Sequence, residues 1–471
     1  MTDETYLIKT SPQFDVHKWS EYPEVNHVVD ALFEEIKTLR TDKGIRIRGA
    51  DKVKRSIKVI IMDLWVAYKL TPNPYRGISK NKTDFGKDTR YKKIFLKFNY
   101  FVGVVNDLAE LLYIQEELGQ QGAYRTRIKA NEKLIEKILS PEYGVGELVA
   151  SNGNMALVQY NQDLERETIL LHDENKKNIG YEDTLATNTM RENLKKINAK
   201  LASSRIILDI TNEQHGELLA KLNAKKEEDN PRLDFTNNRL HRVFNQSSFE
   251  KGGRFYGPWW QNIPKEYRKF IDIGYKPTIE LDYSGHHLRI LYALEDLDPP
   301  ESPYDIEGFE YEDQKLAALI MLNVSKETSA LQAMNSKGLK RGQALIDALK
   351  ERHSQIAHKF FTGVGLELMY LDSMLAEKVM LRMLDRGATV LPVHDSFIVR
   401  NSYADELEEI MKEEFLSTFG RRAELKIKKT AGEERRERGT TETEVEVKPI
   451  DIFTMLEEMK EYSWRIGVWG Y

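Results

Sequence analysis

Two aspartates, Asp282 and Asp395, are the residues of this chain whose setting points most directly to chemistry. Asp282 follows Pro277-Thr278-Ile279-Glu280-Leu281, which reads as a buried strand, and helical spacing starts straight after it through Leu288, Leu291 and Leu294. Asp395 sits with His394 between two apolar arms, 388–393 and 396–400, which read as a hairpin. Each has a plain explanation, a helix cap for the first and an exposed turn for the second. Two-residue hairpin turns favour Asn-Gly or Asp-Gly, however, and His394-Asp395 has no glycine. If the two strands pair in one antiparallel sheet, the carboxylates converge, and at about 4 Å their repulsion costs about 4 kcal/mol at an effective dielectric of about 20. A cation is then required between them. Oxygen ligands select Mg²⁺, with Mn²⁺ as a substitute, and two such ions about 3.5–4 Å apart can activate a hydroxyl while stabilising a departing pyrophosphate. The chemistry implied is nucleotidyl transfer.

The elements that position these acids belong to a chain of 471 residues, more than one core usually organises. An apolar share of 41% beside 31% charged residues is ordinary for a globular protein, and no apolar run is long enough to cross a membrane. Met1 to Thr5 lack the pattern of a secretory signal and there is no cysteine, so the expectation is a cytoplasmic protein. The net charge of −5 gives no sign of nucleic-acid binding, but an average can hide a basic face. We expect a helical region over 1–150, possessing a winged-helix-like basic element; a mixed connecting or thumb-like region over 151–230; a catalytic region over 231–430; and a charged loop and helix over 431–471. Helical periodicity covers Asn26 to Leu39, Lys54 to Lys69, Arg90 to Glu117 and Tyr181 to Ser203. Leu366 to Arg386 is a long helix with Leu368, Leu371, Leu375, Val379 and Met383 on one face, closed by Gly387.

Arg76 to Phe98 holds eight cations against two anions, with four aromatics interleaved and Tyr75 just before it, and Arg125 and Arg127 follow. Cations attract phosphates and aromatic rings stack on bases, so Arg90, Lys92, Arg125 and Arg127 are candidate nucleic-acid contacts, with a solvated helix face as the competing reading. The run Lys225 to Pro231, Lys-Lys-Glu-Glu-Asp-Asn-Pro, reads as a boundary.

Leu281-Asp282-Tyr283-Ser284 with Leu288-Arg289-Ile290-Leu291 resembles the first palm motif of family A DNA polymerases, and Val393-His394-Asp395-Ser396-Phe397 resembles the last. Ser396 stands where DNA-making relatives usually carry Glu, and this form is closer to phage-type single-subunit RNA polymerases, which share the palm. The resemblance implies an α+β fold of right-hand architecture with an antiparallel palm sheet and small helical fingers. It implies that Asp282, Asp395 and the carbonyl of Tyr283 hold two metal ions. Lys315 falls where the family's fingers helix meets the triphosphate, Asn323 stands where a Tyr usually packs at the base, and Tyr311 stands where a second cation, an Arg, is usual. Arg289 joins the candidate nucleotide contacts, and so does His287, at the position that reads the sugar. Arg239, Gln261 and the run to Pro264 resemble primer–template elements, while Gly253-Arg254-Phe255-Tyr256 is similar to an RNA-polymerase element. Arg242, Arg254, Arg268 and His394 complete the candidate nucleic-acid contacts. Trp259 and Trp260 read as core. The acidic stretch Glu295 to Asp313 is expected to loop away from the phosphates.

The expectation is a DNA polymerase that extends a 3′-hydroxyl on a DNA template and primer from nucleoside triphosphates, without a membrane partner. An RNA polymerase or primase of the same superfamily, with an RNA product, is the near alternative. A non-catalytic replication-initiator on a palm scaffold is the distant one.

Overall fold

A computed structural model describes residues 11–70, 73–85, 90–91, 96–120, 124–147, 158–160, 166–223 and 233–428. Lys92, the run Lys225 to Pro231 and the expected elements beyond 428 lie outside the described residues. The chain divides into two compact units, one of residues 1–167, 212–237 and 442–471, the other of 168–211 and 238–441. Their helices and mainly antiparallel sheets make an α+β protein. Among the described residues no helix is long and apolar enough to cross a membrane.

The first unit is built on α1 (Pro23–Asp42), α2 (Ala50–Leu70), α3 (Phe98–Glu110) and α4 (Glu132–Ile138). Helix α2 is apolar on nearly every side from Val53 to Ala67, and such a helix must be enclosed. Its Ile57, Ile61 and Trp65 join Leu32, Ile36, Val104 and Leu108 in one core. A two-stranded ladder pairs β1 (Lys18–Trp19) with a strand at 159–160. A three-stranded antiparallel sheet has the order β2 (Arg76–Gly77), β4 (Arg127–Ala130), β3 (Ile114–Glu117). The helical reading of Arg90 to Glu117 is therefore corrected at its end. Leu112 takes a φ of 62°, which breaks the helix, and the chain turns into β3 to pair with β4. Helix Asn212–Asn223 belongs to the same unit.

In the second unit, counting β5 as the 159–160 strand, a parallel pair joins β6 (Ile169–Leu171) to β8 (His241–Asn245), and β8 pairs antiparallel with β9 (Ser248–Tyr256). Helix α5 (Leu185–Ala202) starts at a capping box in which Thr184 and Thr187 satisfy each other's backbone amides. The larger sheet runs β12 (Leu391–Val393), β13 (Ser396–Arg400), β11 (Lys276–Tyr283), β10 (Ile271–Ile273), β7 (Ile206–Leu208), with β14 (Leu425–Lys428) also paired to β11. Phe397, Ile398 and Val399 are all buried, so β13 is covered on both faces, while Pro392, which has no amide to donate, sits on edge strand β12. The remaining helices are α6 (His286–Leu294), α7 (Tyr311–Asn323), α8 (Glu327–Ser336), α9 (Gly342–Arg352), α10 (Gly365–Asp385) and α11 (Ala404–Phe419).

Helix α10 is the spine, packing on β9, α5, α6 and α11. Its expected apolar face is present, except that Leu371 is only half-buried, and a second face buries Asp372, Ser373 and Glu377. Ser373 and Glu377 are there because Arg242 is there. Its guanidinium is wholly enclosed, donating to the Gly253 carbonyl at 2.8 Å, to Glu377 Oε2 at 2.8 Å and to Ser373 Oγ at 2.9 Å. Arg242 is thus a clasp between β8, β9 and α10, and the expectation that it meets nucleic acid is corrected, because no part of it reaches solvent. We predict that Arg242→Met leaves Glu377 buried without its cationic partner and lowers unfolding stability by about 3–5 kcal/mol, whereas pairing it with Glu377→Leu recovers most of the loss. Denaturant melts of the two variants check this.

Candidate active site

The register of the central sheet brings the two aspartates to one strand end. β11 and β13 pair antiparallel from Thr278 opposite Arg400 to Asp282 opposite Ser396, so Asp395, one residue before Ser396, flanks Asp282. The Tyr283 amide donates to the Asp395 carbonyl at 3.3 Å, which ties the turn to the end of β11. Both carboxylates belong to half-buried residues. Val393 pairs with Ser396 across a two-residue turn, and His394 takes the left-handed conformation at φ 60°. A non-glycine there costs on the order of 1 kcal/mol, a strain that functional turns often retain. His394 is exposed, with its ring edge-on to Tyr256 at 5.7 Å between centroids. Just past β11, Gly285 opens α6 at φ 59°, where an added Cβ would come within 2.9 Å of Pro303, so both conformation and space demand glycine.

A buried carboxylate stands behind this edge. Asp372 of α10 accepts from Arg254 Nε at 2.6 Å through one oxygen and meets His286 Nε2 at 3.0 Å through the other. Burial alone would raise its pKa, but the Arg254 guanidinium and His286 outweigh it and hold the carboxyl well below the usual carboxylate range. Arg254 Nη2 also donates to His287 Nε2 at 3.0 Å, which fixes that ring as the neutral tautomer protonated on Nδ1. Burial and the adjacent Arg254 push His287 down to about 4. Tyr283 stacks on His286 with centroids 4.7 Å apart, and its hydroxyl donates to the Met411 carbonyl at 2.7 Å. Arg254 therefore ties Asp372 to the candidate position His287, and it also feels the charge of Asp395.

Beside the turn, Ser396 donates to Glu280 Oε1 at 2.7 Å, and the same oxygen accepts from Arg268 at 3.1 Å. This explains serine after Asp395, because a carboxylate there would lie opposite Asp282 and against buried Glu280, its diagonal neighbour on the same face. Gln261 donates to the Phe255 carbonyl at 3.1 Å and the Pro392 carbonyl at 2.9 Å, and Trp260 Nε1 also reaches Pro392 at 3.3 Å. Gln261 braces the Asp395 hairpin, with both amide hydrogens engaged inside the protein. Trp259 and Trp260 are buried, as read.

Among the candidate nucleotide contacts, Arg289 is buried and donates to the carbonyls of Ser284 at 2.9 Å and Glu301 at 3.0 Å, with Glu424 as its ion partner. It anchors the start of α6 to the following segment. The segment Glu295 to Asp313 does not loop away: Pro303 packs on Gly285, its carbonyl meets His353, and Tyr304 feels the charge of Asp395. Lys315 is exposed on α7 with its Nζ 5.6 Å from the centre of the Tyr311 ring. Asn323, two turns on, donates to the Leu319 carbonyl at 2.8 Å, and its side-chain oxygen fills the space that a Cβ on Gly365 would need. Arg239 is half-buried beside Gly257, to whose ideal Cβ position its carbonyl comes within 2.6 Å. Asp372 was missed in the sequence; its only signal is an acid inside the apolar spacing of α10.

In the first unit Arg125 is exposed, 3.9 Å from Asp84. Arg127 is buried and donates to the Arg125 carbonyl at 2.8 Å, so it shapes β4 rather than presenting its charge. Arg90 is half-buried and ion-paired with Glu167 at 3.2 Å.

Among the described residues no group of three or more His, Cys, Asp or Glu side chains is gathered as a metal site. Asp282 and Asp395 offer hard oxygen donors at one strand end, the donor type that suits Mg²⁺, which binds through one or two carboxylates and completes its octahedron with water and substrate phosphates. The site is thus compatible with Mg²⁺ held jointly by protein and substrate.

The state of His287 predicts an acid-side stability loss. Its folded pKa lies below the unfolded value near 6.5, so its contribution is complete above that pH and declines as pH falls toward about 4, where the unfolded chain takes a proton that the folded site refuses. His287→Gln should flatten that part of the slope in urea midpoints measured between pH 7.5 and 4.5.

No protein-family model matches the chain, and no curated protein matches it. Among solved structures, the POL domain of Pol1 from M. smegmatis, in complex with DNA primer-template and dNTP, aligns over 90% of this chain and 67% of that one, at a TM-score of 0.26 and 10% identity. A likeness of that size carries no argument, and the site rests on its own geometry.

Proposed function

We propose that the second unit, residues 168–211 and 238–441, is a template-directed nucleotidyltransferase, a DNA polymerase that extends a 3′-hydroxyl with deoxynucleoside triphosphates. The observation that supports this reading is the register of β11 and β13, which brings Asp282 and Asp395 to the same end of one sheet, with the Tyr283 amide on the Asp395 carbonyl. The six-stranded sheet is the palm and α7 to α9 are compact fingers. Asp282, Asp395 and the Tyr283 carbonyl hold Mg²⁺, which when bound lowers the pKa of the attacking hydroxyl and offsets charge on the leaving group. The primer oxygen forms a bond to the α-phosphorus, the bond from that phosphorus to the bridging oxygen breaks, pyrophosphate departs, and the hydroxyl proton passes to solvent.

Lys315 faces the triphosphate. Arg239 and Arg268 are the candidates for the template and primer backbone within this unit, and exposed Arg125 is the candidate in the other. His287, a bulky neutral ring immobilised by Arg254, disfavours a 2′-hydroxyl. Ser396 supports a second reading, synthesis of RNA, since its tie to Glu280 keeps that form of the turn.

Asp395→Asn should reduce Mg²⁺-dependent extension of a primed DNA template by more than the ~100-fold that loss of an outer-shell partner costs, while DNA affinity stays near wild type. Full activity in the Asp395→Asn variant would sink the proposal. Supplying deoxy- and ribonucleotides separately on DNA and RNA templates, with and without primer, distinguishes the two products.

A further inference from the structure

Helix α7 opens on Tyr311, whose ring gathers two ammonium groups. Lys426 Nζ lies 4.6 Å from the ring centre and donates to the phenolic oxygen at 2.6 Å, while Lys315 Nζ lies 5.6 Å from the same centre. Both lysines are exposed. They come from distant parts of the sequence, Lys315 from α7 and Lys426 from β14.

The register of β14 gives Lys426 its meaning. It stands directly opposite Asp282 on β11, and opposed residues of an antiparallel pair share a face with Cβ atoms about 4.5–5.5 Å apart. The lysine stem therefore starts beside the Asp282 carboxylate and its head ends on α7, spanning the distance from the metal-ligand edge to the fingers helix. Charge balance points the same way. Glu312 and Asp313 fill the first turn of α7 and offset the attraction that Lys315 and the helix N-terminus would exert on an anion. Lys315 alone leaves that end of the helix net negative, and Lys426 adds a second cation there. A polyphosphate reaching from Asp282 toward α7 would pass both ammonium groups, each a mobile point charge suited to phosphate oxygens.

We propose that Lys426 is a substrate-binding residue: with Lys315 it holds the β- and γ-phosphates of the incoming nucleoside triphosphate, and Tyr311 holds the two ammonium groups in place before the nucleotide arrives. This rests on the polymerase reading of the site. Lys426 supplies from the sheet a positive charge that α7 does not carry at Tyr311.

The test uses the full chain on a primed DNA template with Mg²⁺. Lys426→Met should raise the KM for dNTP about tenfold, equivalent to ~1.4 kcal/mol, with a smaller change in kcat. Its primer–template affinity should remain within about twofold of wild type, which also reports that the variant is folded, and Lys426→Arg should restore most of the loss. An unchanged KM in Lys426→Met, or an equal loss of primer–template affinity, overturns the proposal. If the wild-type chain extends nothing, the polymerase reading fails, and titration with Mg²⁺-dATP then decides the lysine separately: weaker binding by Lys426→Met sustains a polyphosphate site, and equal binding removes it.

Discussion

The pairing of β11 with β13 is the constraint on which the site depends. A strand alternates its side chains between faces, so sliding this ladder by one residue would turn Asp282 away from Ser396 and separate it from Asp395. The register is held from several sides. Phe397, Ile398 and Val399 are enclosed, and Leu281 and Tyr283 are buried on the opposing strand, so a slip would exchange apolar for polar groups across a covered sheet. The Tyr283 amide adds a bond to the Asp395 carbonyl just beyond the last ladder pair. The Pro392 carbonyl, held by Gln261 and Trp260, fixes the other arm of the hairpin.

Behind that edge the protein neutralises its acids one by one. Glu280 is taken by Arg268 and Ser396, Asp372 by Arg254 and His286, and Glu377 by Arg242. A buried carboxylate without such a partner would be held neutral or would destabilise the fold. The pairs also spread a single rigid frame from β8 and β9 through α10 to α6, because Arg254 and Arg242 project from adjacent paired strands onto the same helix. The aspartates at the strand end are thereby carried on elements whose own charges are already satisfied, a prerequisite for holding a reacting group in fixed geometry.

Much of the scaffold was legible in the sequence because it depends on local pattern. Period-3.6 spacing marked α1, α2, α5 and α10 to within a few residues, the apolar arms around His394-Asp395 marked the hairpin, and the strand expected to end at Asp282 runs one residue further, to Tyr283. The helix assigned through Glu117 failed because Leu112 adopts a left-handed backbone that no local pattern required. The acidic segment after α6 was placed outside the site on charge alone, although Pro303 fits against Gly285 and Arg289 reaches the Glu301 carbonyl.

By itself the sequence determined the elements, the strand-end position of Asp282, the turn position of Asp395 and the order of Asp282, Lys315 and Asp395 along the chain. Only the tertiary structure decided which cations meet solvent and which are sealed inside. Arg242, Arg127 and Arg289 look like surface arginines in sequence, yet each is buried on carbonyls or a carboxylate, while Lys426, unremarked in sequence, is set opposite Asp282. The reason is physical. Local propensity depends on neighbours within a few residues, whereas the environment of a charge depends on partners such as Glu377 and Asp372, more than a hundred residues away in sequence from the arginines they neutralise.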